Sequence, residues 1–352
     1  MKKFLCCFLF ISISAAHAQK VYRLWPEARA QEWYSRQGWL TGCDYIPSTA
    51  INQLEMWQKE TFDTATINKE LGWAQDLGFN TMRVFLHDLA WQEDQEGFKE
   101  RIKTFLTIAA AHKIKPFFVF FDDCWNPNAK PGKQPAPKPG IHNSGWLRSP
   151  SADIHNDSTR WDYLGYYVHD ILVTFKHDKR ILMWDLYNEP GNSGYTYNSL
   201  PLLRAVFRWA RKVNPDQPLT VGWWTANENF KELNAFTFAN SDIVSYHDYD
   251  SVQYHTKKIE ELKAYKRPMV CTEYMARPRG STFFTIMPLL KKENVGAINW
   301  GFVDGKTQTK YAWDTPMPSG AEPKLWFHEI LHTDGTPYDS KETGFIKEEN
   351  KR

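Results

Sequence analysis

The stretch TMRVFLHDLAWQEDQEGFKERIKTFLTIAAAHKIKPFFVFF, residues 81–121, contains the repeating unit of this chain. It opens with the apolar run 81–86, continues with a helical pattern over about 96–112, and ends with the nearly all-apolar run 115–121. Strands that are apolar at almost every position are typical of parallel sheets, which helices cover on both faces. The order strand, helix, strand therefore predicts a βαβ unit.

The same alternation continues along the rest of the chain. Strands are predicted at 39–44, 81–86, 115–121, 181–186, 219–223, 243–246, 269–272 and 297–300. Helices are predicted near 27–37, 63–78, 96–112, 157–175, 199–213, 227–234, 254–265, 282–293 and 324–332. Eight strand–helix units predict an α/β fold, a single-domain (β/α)8 TIM barrel whose active site lies where the strands end. A doubly wound sheet is the alternative, but the segment after the first strand has no glycine-rich phosphate loop.

The composition excludes several classes of protein. Of the 352 residues, 24% are charged and 42% hydrophobic, which is ordinary for a folded protein and unlike disordered or collagen-like chains. The 43 Lys and Arg nearly balance the 41 Asp and Glu, so no excess positive charge favours nucleic acid or an anionic membrane as a partner. The 16 Trp and 16 Tyr are many, and such flat rings suit both a core and the faces of sugars.

Residues 1–18 have the pattern of a secretory signal peptide. Lysines at positions 2 and 3 precede the apolar run 4–13, and the sequence AHA at 16–18 supplies a small-x-small cleavage site. The apolar run is far shorter than the ~20 residues that a membrane span needs, which disfavours the alternative of a permanent anchor. We therefore predict export to the periplasm or the extracellular space, with residues 19–352 as the barrel domain. The cysteines outside the signal, Cys43, Cys124 and Cys271, are odd in number and predict no disulfide framework.

A long connection follows the third predicted strand. Residues 125–156 exceed a usual βα loop and contain six prolines. Loops of this length are either functional or disordered, and the position of Trp125 and Trp146 in it favours a wall of a binding cleft. A surface insertion without function is the alternative.

Two glutamates stand at the ends of predicted strands. Asn188, Glu189 and Pro190 follow strand four, and Glu273 ends strand seven. Strands four and seven face each other across the mouth of an eightfold barrel, so the two carboxylates can converge on one substrate bond. Two carboxyl groups ~5–5.5 Å apart are what a retaining glycosidase needs, one as acid and base and the other as nucleophile.

These strand ends resemble clan A of the retaining glycoside hydrolases, and most closely glycoside hydrolase family 5. The resemblance covers about residues 37–335 and rests on Asn188-Glu189-Pro190 together with Glu273. It implies a barrel enzyme that cleaves β-linked glycans without a metal or another cofactor. His87-Asp88 and the segment 122–125 match no substrate subgroup, so neither the sugar nor endo or exo action is predicted.

Four further positions match the family pattern in the same order along the chain. Arg83 resembles the arginine that holds the nucleophile carboxylate, and His247 and Tyr249 resemble the pair after strand six beside the catalytic site. Trp300 resembles the tryptophan under the sugar at the cleaved bond. Asn188, next to the acid, is expected to hydrogen-bond the sugar 2-hydroxyl.

The required protonation states can be assigned from chemistry alone. Glu189 must be protonated to give a proton to the leaving oxygen, and Glu273 must be ionised to attack carbon. A guanidinium beside Glu273 favours its charged form, which is the role expected of Arg83. His247 and Tyr249 are two residues apart, so an extended segment directs both to one side, and the tyrosine hydroxyl can orient Glu273. The alternatives are a structural ion pair for Arg83, packing in a barrel layer for His247 and Tyr249, and core packing for Trp300.

Two other functions fit the sequence less well. A carbohydrate-binding pseudoenzyme would keep the aromatic cleft without the chemistry, yet both glutamates are present. A metal-dependent barrel hydrolase typically has a His-x-His motif, whereas the 11 His are scattered and none forms that motif. We therefore predict a retaining β-glycosidase, without cofactor or metal, that acts as a monomer on a β-linked oligo- or polysaccharide.

Overall fold

The computed structural model describes residues 24–351, so the predicted signal peptide lies outside the described residues. Eight parallel strands form a closed barrel in the order of the chain, and the pairing of the first strand with the last closes it. The strands are β1 Thr41–Asp44, β2 Thr81–Phe85, β3 Lys115–Asp122, β4 Trp184–Asn188, β5 Leu219–Trp223, β6 Val244–His247, β7 Met269–Tyr274 and β8 Gly296–Asn299. The predicted (β/α)8 barrel is confirmed.

Helices connect the strands and cover the barrel. They are α1 Glu27–Ser35, α2 Gln53–Trp57, α3 Thr64–Asp76, α4 Asp88–Glu93, α5 Gln95–Ala111, α6 Ala152–His155, α7 Asp162–Phe175, α8 Leu200–Val213, α9 Lys231–Asn240, α10 Val252–Leu262, α11 Phe283–Lys292 and α12 Ser340–Glu349. The sequence sets their ends locally: the Asp63 side chain accepts a hydrogen bond from the Thr66 amide at the start of α3. Gly78, at φ +79°, turns the chain out of that helix.

Burial explains why the strands are apolar throughout. Every residue of β3 except Lys115 is buried, because the strand is covered by helices outside and by the packed barrel interior inside. On the outside, α5 buries the i, i+4, i+7 row Phe98, Ile102 and Phe105.

The structure corrects three predicted elements. The helix predicted at 227–234 is a 3₁₀ turn at Glu228–Phe230 followed by α9, which continues to Asn240. The strand predicted at 181–186 begins at Trp184 and ends at Asn188, so Glu189 follows it at once. Residues 181–183 are buried but precede the paired part of the strand. An apolar run alone does not distinguish a strand from a buried segment that leads into it. The helix predicted at 324–332 is wrong: the last helix is α12, and Leu331 instead pairs with Val303 and Pro337 as isolated bridges. Its apolar residues are buried at helix-like spacing, which misled the prediction.

Two long connections lie on the face where the strands end. We call residues 123–151 the β3 loop and residues 300–339 the β8 loop. The two loops are joined by hydrogen bonds, among them Asn143 N to Thr307 O at 2.9 Å and Gly140 N to the Gln308 side chain at 3.0 Å. Because β1 and β2 stand between β8 and β3 around the barrel, this junction crosses the mouth above β1 and β2.

The described chain shows three free, buried thiols, those of Cys43, Cys124 and Cys271. None of the helices within residues 24–351 has the length and apolar character needed to cross a membrane. The barrel therefore depends on its packed core rather than on cross-links between these cysteines.

Candidate active site

The two predicted glutamates converge at the barrel mouth. Glu189 follows β4 directly, and Glu273 lies near the end of β7. One carboxylate oxygen of each lies within 4.8 Å of the other and of a ring nitrogen of His247. This spacing fits the ~5–5.5 Å of retaining glycosidases and is too short for the ~6.5–9.5 Å that an inverting enzyme needs to admit water.

Both oxygens of Glu273 accept hydrogen bonds. Arg83 Nη1 donates to Oε1 at 2.8 Å, and the Tyr249 hydroxyl donates to Oε2 at 2.6 Å. Burial raises the pKa of Glu273, and the nearby charge of Glu189 adds to this, whereas the guanidinium of Arg83 opposes it. The carboxylate is thus held in one orientation by a permanent cation and a neutral donor.

Arg83 is the hub of a fully buried polar network. Its guanidinium also donates to Asp44 at 2.9 Å, to Asp185 at 2.8 Å and to the Asn188 side-chain oxygen at 2.6 Å. The same group therefore fixes both Glu273 and the residue before Glu189. A Cβ at Gly222 on β5 would lie 3.0 Å from Arg83 Nη2, so a glycine leaves room for the guanidinium.

Glu189 has different partners. The Cys124 thiol donates to its Oε2 at 3.2 Å, the Asn192 amide donates to the same oxygen, and His247 Nδ1 lies 2.6 Å from its Oε1. Burial raises the pKa of Glu189, and the hydrogen bonds from Cys124 and Asn192 partly oppose this rise. Burial also lowers the pKa of His247 to about 4, so this ring is neutral at neutral pH. No direct cation therefore favours ionisation of Glu189 in the way that Arg83 favours that of Glu273.

The two carboxylates titrate as a pair because each charge disfavours the other at this distance. Arg83 contacts Glu273 and not Glu189, so its charge favours ionisation of Glu273 over that of Glu189. A proton held by the pair is therefore expected on Glu189. One group is then ready to attack carbon and the other to donate a proton, which is the division of roles that retaining hydrolysis requires.

Asn188 is held at both ends of its amide. Its oxygen accepts from Arg83, and its nitrogen donates to Asp122 Oδ1 at 2.9 Å. Asp122 also accepts from the Trp146 indole at 2.7 Å, and burial raises its pKa to about 6. Asp123 accepts from the Gly191 amide at 2.7 Å and so supports the turn after Glu189. Asp122, the last residue of β3, and Asp123, which follows it, thus orient their neighbours, and neither carboxylate lines the cavity.

A cavity of about 420 Å³ opens in front of the glutamates. Of the predicted site residues, those that line it are Asn188, Glu189, Tyr249, Glu273 and Trp300. Arg83 and His247 do not line it, and they are 0% and 3% exposed. Both contact the glutamates instead of the cavity: Arg83 donates to Glu273, as expected, and His247 Nδ1 lies 2.6 Å from Glu189 Oε1.

Aromatic rings form much of the wall. Trp125 and Trp146 of the β3 loop line the cavity together with Trp224, Trp300 and Trp313, as expected for a site that takes the flat apolar faces of sugar rings. Two adjacent tryptophans, Trp223 and Trp224, stand at the end of β5 and have different surroundings. Trp223 is buried against Phe238, with ring centroids 5.1 Å apart, and Trp224 lines the cavity.

Sequence reasoning missed several lining residues. These are His142, Asn143, Asn192, Ser193, Arg279 and His328. They lie in irregular connections, and the segment that carries His328 was predicted to be helical. The length and proline content of residues 125–156 were the only available signal, and the predicted wall function of that connection is confirmed by its lining residues.

One group of potential metal ligands lies close together among residues 24–351, and it consists of Glu189, His247 and Glu273. These are the same side chains that form the carboxylate pair. The Arg83 guanidinium at 2.8 Å from Glu273 would repel a cation bound to that carboxylate. The donor set therefore fits acid and nucleophile chemistry better than metal coordination.

Two carboxylates this close at the strand ends of a barrel suit retaining glycoside hydrolysis, in which a β-linked glycan is cleaved by double displacement. A family model described as Cellulase (glycosyl hydrolase family 5) matches residues 44–300, more than half of the chain. The chain belongs to glycosyl hydrolase family 5, and it is a glycoside hydrolase. A search of curated proteins finds no match.

Several solved structures share the fold. GH5_18 from Streptomyces cattleya, in complex with Manβ1-4GlcNAc, is 12% identical with a TM-score of 0.60, over 88% of this chain and 79% of that one. The exo-β-1,4-mannosidase from Opitutaceae bacterium strain TAV5 is 15% identical with a TM-score of 0.64, over 89% of this chain and 59% of that one. The endo-β-1,4-mannanase from Thermotoga petrophila is 15% identical with a TM-score of 0.56, over 88% and 76%. At these identities the comparison shows a common fold.

Proposed function

We propose that this family 5 enzyme hydrolyses β-mannosides, with Glu189 as general acid and base and Glu273 as nucleophile. The two glutamates have different hydrogen-bond partners, and this asymmetry carries the assignment of roles. The cation Arg83 donates to Glu273 at 2.8 Å, whereas the partners of Glu189 are a thiol, an amide and a neutral imidazole. The choice of mannose is supported by the names of the similar solved structures.

In the first step Glu189 gives its proton to the glycosidic oxygen while Glu273 attacks the anomeric carbon. The bond to the leaving group breaks, and a glycosyl ester of Glu273 forms. In the second step Glu189 takes a proton from water, which displaces Glu273 and restores the β-configuration. Asn188, fixed by Arg83 and Asp122, is placed at the cavity to hydrogen-bond the 2-hydroxyl, and Trp300 lies against the sugar ring.

A panel of 4-nitrophenyl β-glycosides tests the substrate. We expect kcat/KM for the β-mannoside to exceed that for the β-glucoside, β-galactoside and β-xyloside by at least ~10-fold, because a site built around hydroxyl hydrogen bonds rejects sugars that misplace one. Preference for another β-glycoside would overturn the mannose assignment and leave the roles of Glu189 and Glu273 standing. Inactivity on all four, and on mannan and cellulose oligosaccharides, would contradict the proposal as a whole.

Removing the Cys124 thiol is expected to shift the basic limb of the pH–rate profile upward. The thiol donates to Glu189 and lowers its pKa, so Cys124→Ala should raise that pKa and keep the acid protonated to higher pH. The acidic limb, which reports the protonation of Glu273, should move less. The measurement is kcat/KM against pH for the wild type and the variant.

Cys124→Ser, which restores a donor, should return the basic limb toward the wild type. Cys43→Ala is the matched control, because Cys43 is also a buried free thiol but contacts Met82 rather than either glutamate. An unchanged basic limb in Cys124→Ala would mean that the thiol does not tune the acid.

We also propose that the chain is exported and acts as a monomer. Export is supported by the pattern of residues 1–18, and a monomer by the construction of the whole cavity within one chain. Amino-terminal sequencing of the exported protein should begin at Gln19, and light scattering should give the mass of one chain. A retained leader, or a larger assembly, would contradict the respective part.

A further inference from the structure

We propose that the enzyme is exo-acting and releases single sugars from the non-reducing end, because the glycone side of the cavity is a closed pocket in which Asn143 and His328 bind the hydroxyls of the terminal sugar. This inference rests on the proposed roles of Glu189 and Glu273. It adds what those roles leave open, namely how many sugars fit on each side of the cleaved bond.

The positions of the two glutamates orient the substrate. The acid must reach the glycosidic oxygen, so the leaving group lies beside Glu189 at the end of β4. The glycone carries its anomeric carbon to Glu273 and extends away from β4. On that side, Tyr249, which donates to Glu273, is 4.9 Å from Trp313 and 5.4 Å from His328 between ring centroids. The β8 loop therefore surrounds the glycone.

The junction of the β3 and β8 loops closes this end of the cavity. Gly140 O accepts from Met317 N at 2.9 Å, and His142 Nδ1 donates to Tyr311 O at 2.8 Å, in addition to the bonds already described. The connection after β1 packs against the β3 loop, where the Asn52 side-chain nitrogen donates to Gly145 O at 2.9 Å. No residue from the connections after β1 or β2 lines the cavity, and the separate space that Tyr45 and Ile46 line beside Trp146 has only about 20 Å³, too little for a second sugar.

Aromatic rings pack closely at the same end of the cavity. Trp146 lies between Phe85 and Trp300, with ring centroids 5.0 and 5.4 Å away and near edge-to-face angles. The indole nitrogen of Trp146 is bonded to Asp122, so this ring is fixed in place. Trp125 spans the rim: its amide donates to Ser193 Oγ after β4 at 3.3 Å, its ring packs against His142 with centroids 5.5 Å apart, and its 40% exposure leaves this edge of the cavity in contact with solvent.

Polar groups without partners face the closed end. Asn143 lines the cavity and is 2% exposed, and within residues 24–351 neither its side-chain oxygen nor its nitrogen has a hydrogen-bond partner. His328 lines the cavity with Nε2 unpartnered, while its Nδ1 donates to Met275 O, so Nε2 is an acceptor. Buried polar groups are usually paired, and each hydroxyl of a sugar can both donate and accept.

The amide of Asn143 therefore supplies two N–H donors and one acceptor, and His328 Nε2 supplies a second acceptor, at the end of a cavity of about 420 Å³. Asn143 adopts φ +47°, a left-handed conformation that asparagine tolerates better than most residues. A bound ligand that hydrogen-bonds to the amide would explain why Asn143 has this backbone conformation and a buried side chain without a partner in the protein.

The product pattern tests exo action. β-1,4-Mannotetraose and cellotetraose, each labelled at the reducing end, should be shortened by one sugar at a time, with monosaccharide as the only unlabelled product. Unlabelled disaccharide or trisaccharide among the first products would overturn the inference and leave the proposed function intact. Absence of hydrolysis of both tetrasaccharides and of all aryl glycosides would overturn the proposed function, and this inference with it.

The variant Asn143→Gly tests the subsite. Glycine adopts a positive φ without strain, so the loop should keep its conformation while the amide is lost. We expect kcat/KM on the preferred tetrasaccharide to fall about 10- to 100-fold, as for two lost hydrogen bonds. The monosaccharide should bind more weakly, by a similar factor, to Asn143→Gly in a Glu273→Gln background, measured by calorimetry.

Asn128→Gly is the matched control, because Asn128 belongs to the same loop but does not line the cavity. Its kcat/KM should equal that of the wild type. Equal kcat/KM for Asn143→Gly and the wild type, with the same melting temperature, would refute the role of Asn143.

Discussion

Glu273→Gln is expected to reduce kcat by at least ~10⁴-fold on every β-glycoside, including activated aryl glycosides, because an amide cannot form the glycosyl ester. The loss should not depend on the leaving group, since no substrate avoids the need for a nucleophile. Added azide should not restore turnover, because no glycosyl ester forms for it to attack and the glutamine side chain still occupies the position of the nucleophile. The measurements are single-turnover rates with natural and aryl substrates.

The fold of this variant should persist, because Arg83 keeps Asp44 and Asp185 as partners when the charge of Glu273 is removed. Glu70→Gln is the matched control: Glu70 is buried and accepts from Tyr45, but it does not line the cavity. It should keep the wild-type kcat. A Glu273→Gln enzyme that turns over an aryl glycoside at the wild-type rate would show that another group is the nucleophile.

Glu189→Ala is expected to separate substrates by their leaving groups. Natural glycosides, which need protonation of the leaving oxygen, should lose ~10²–10⁴-fold in kcat, the usual contribution of a general acid. Glycosides with an acidic phenol as leaving group should lose far less in the first step. Because Glu189 is also the base of the second step, azide should accelerate turnover of this variant by attacking the glycosyl ester without needing a base.

The pH profile provides an independent readout of the same variant. The basic limb of kcat/KM, which in the wild type reports the loss of the proton from Glu189, should disappear in Glu189→Ala. The acidic limb, which reports the protonation of Glu273, should remain. Equal losses on natural and activated substrates, with both limbs retained, would exclude Glu189 as the acid.

The sequence alone was sufficient for the barrel and for the carboxylate pair. The strands were recognisable because parallel strands covered on both faces are apolar throughout, and seven of the eight predicted ranges agree with the structure to within about two residues at each end. Glu189 and Glu273 could be paired because closed-barrel topology places the ends of β4 and β7 on one face. Family membership then followed from short motifs in a fixed order.

The partners of the two glutamates were only partly predictable. The contact of Arg83 with Glu273 was expected from the family pattern and that of Tyr249 from its spacing to His247, and the structure places both within hydrogen-bond distance. The thiol of Cys124 beside Glu189 was not expected, since sequence position after β3 does not state which way a side chain points. The same limit applies to Asp122, which holds Asn188 instead of facing the substrate.

What the sequence determined by itself is therefore what depends on periodicity and on short-range chemistry: eight strands, their covering helices, and two carboxylates at one end of the barrel. What only the tertiary structure decided is the shape of the cavity. The β3 and β8 loops lack a repeating pattern, and their conformation comes from contacts between residues far apart in the chain, such as Asn143 with Thr307. Because those contacts close one side of the mouth, the number of sugars that can bind is a property of the folded chain and not of any local motif.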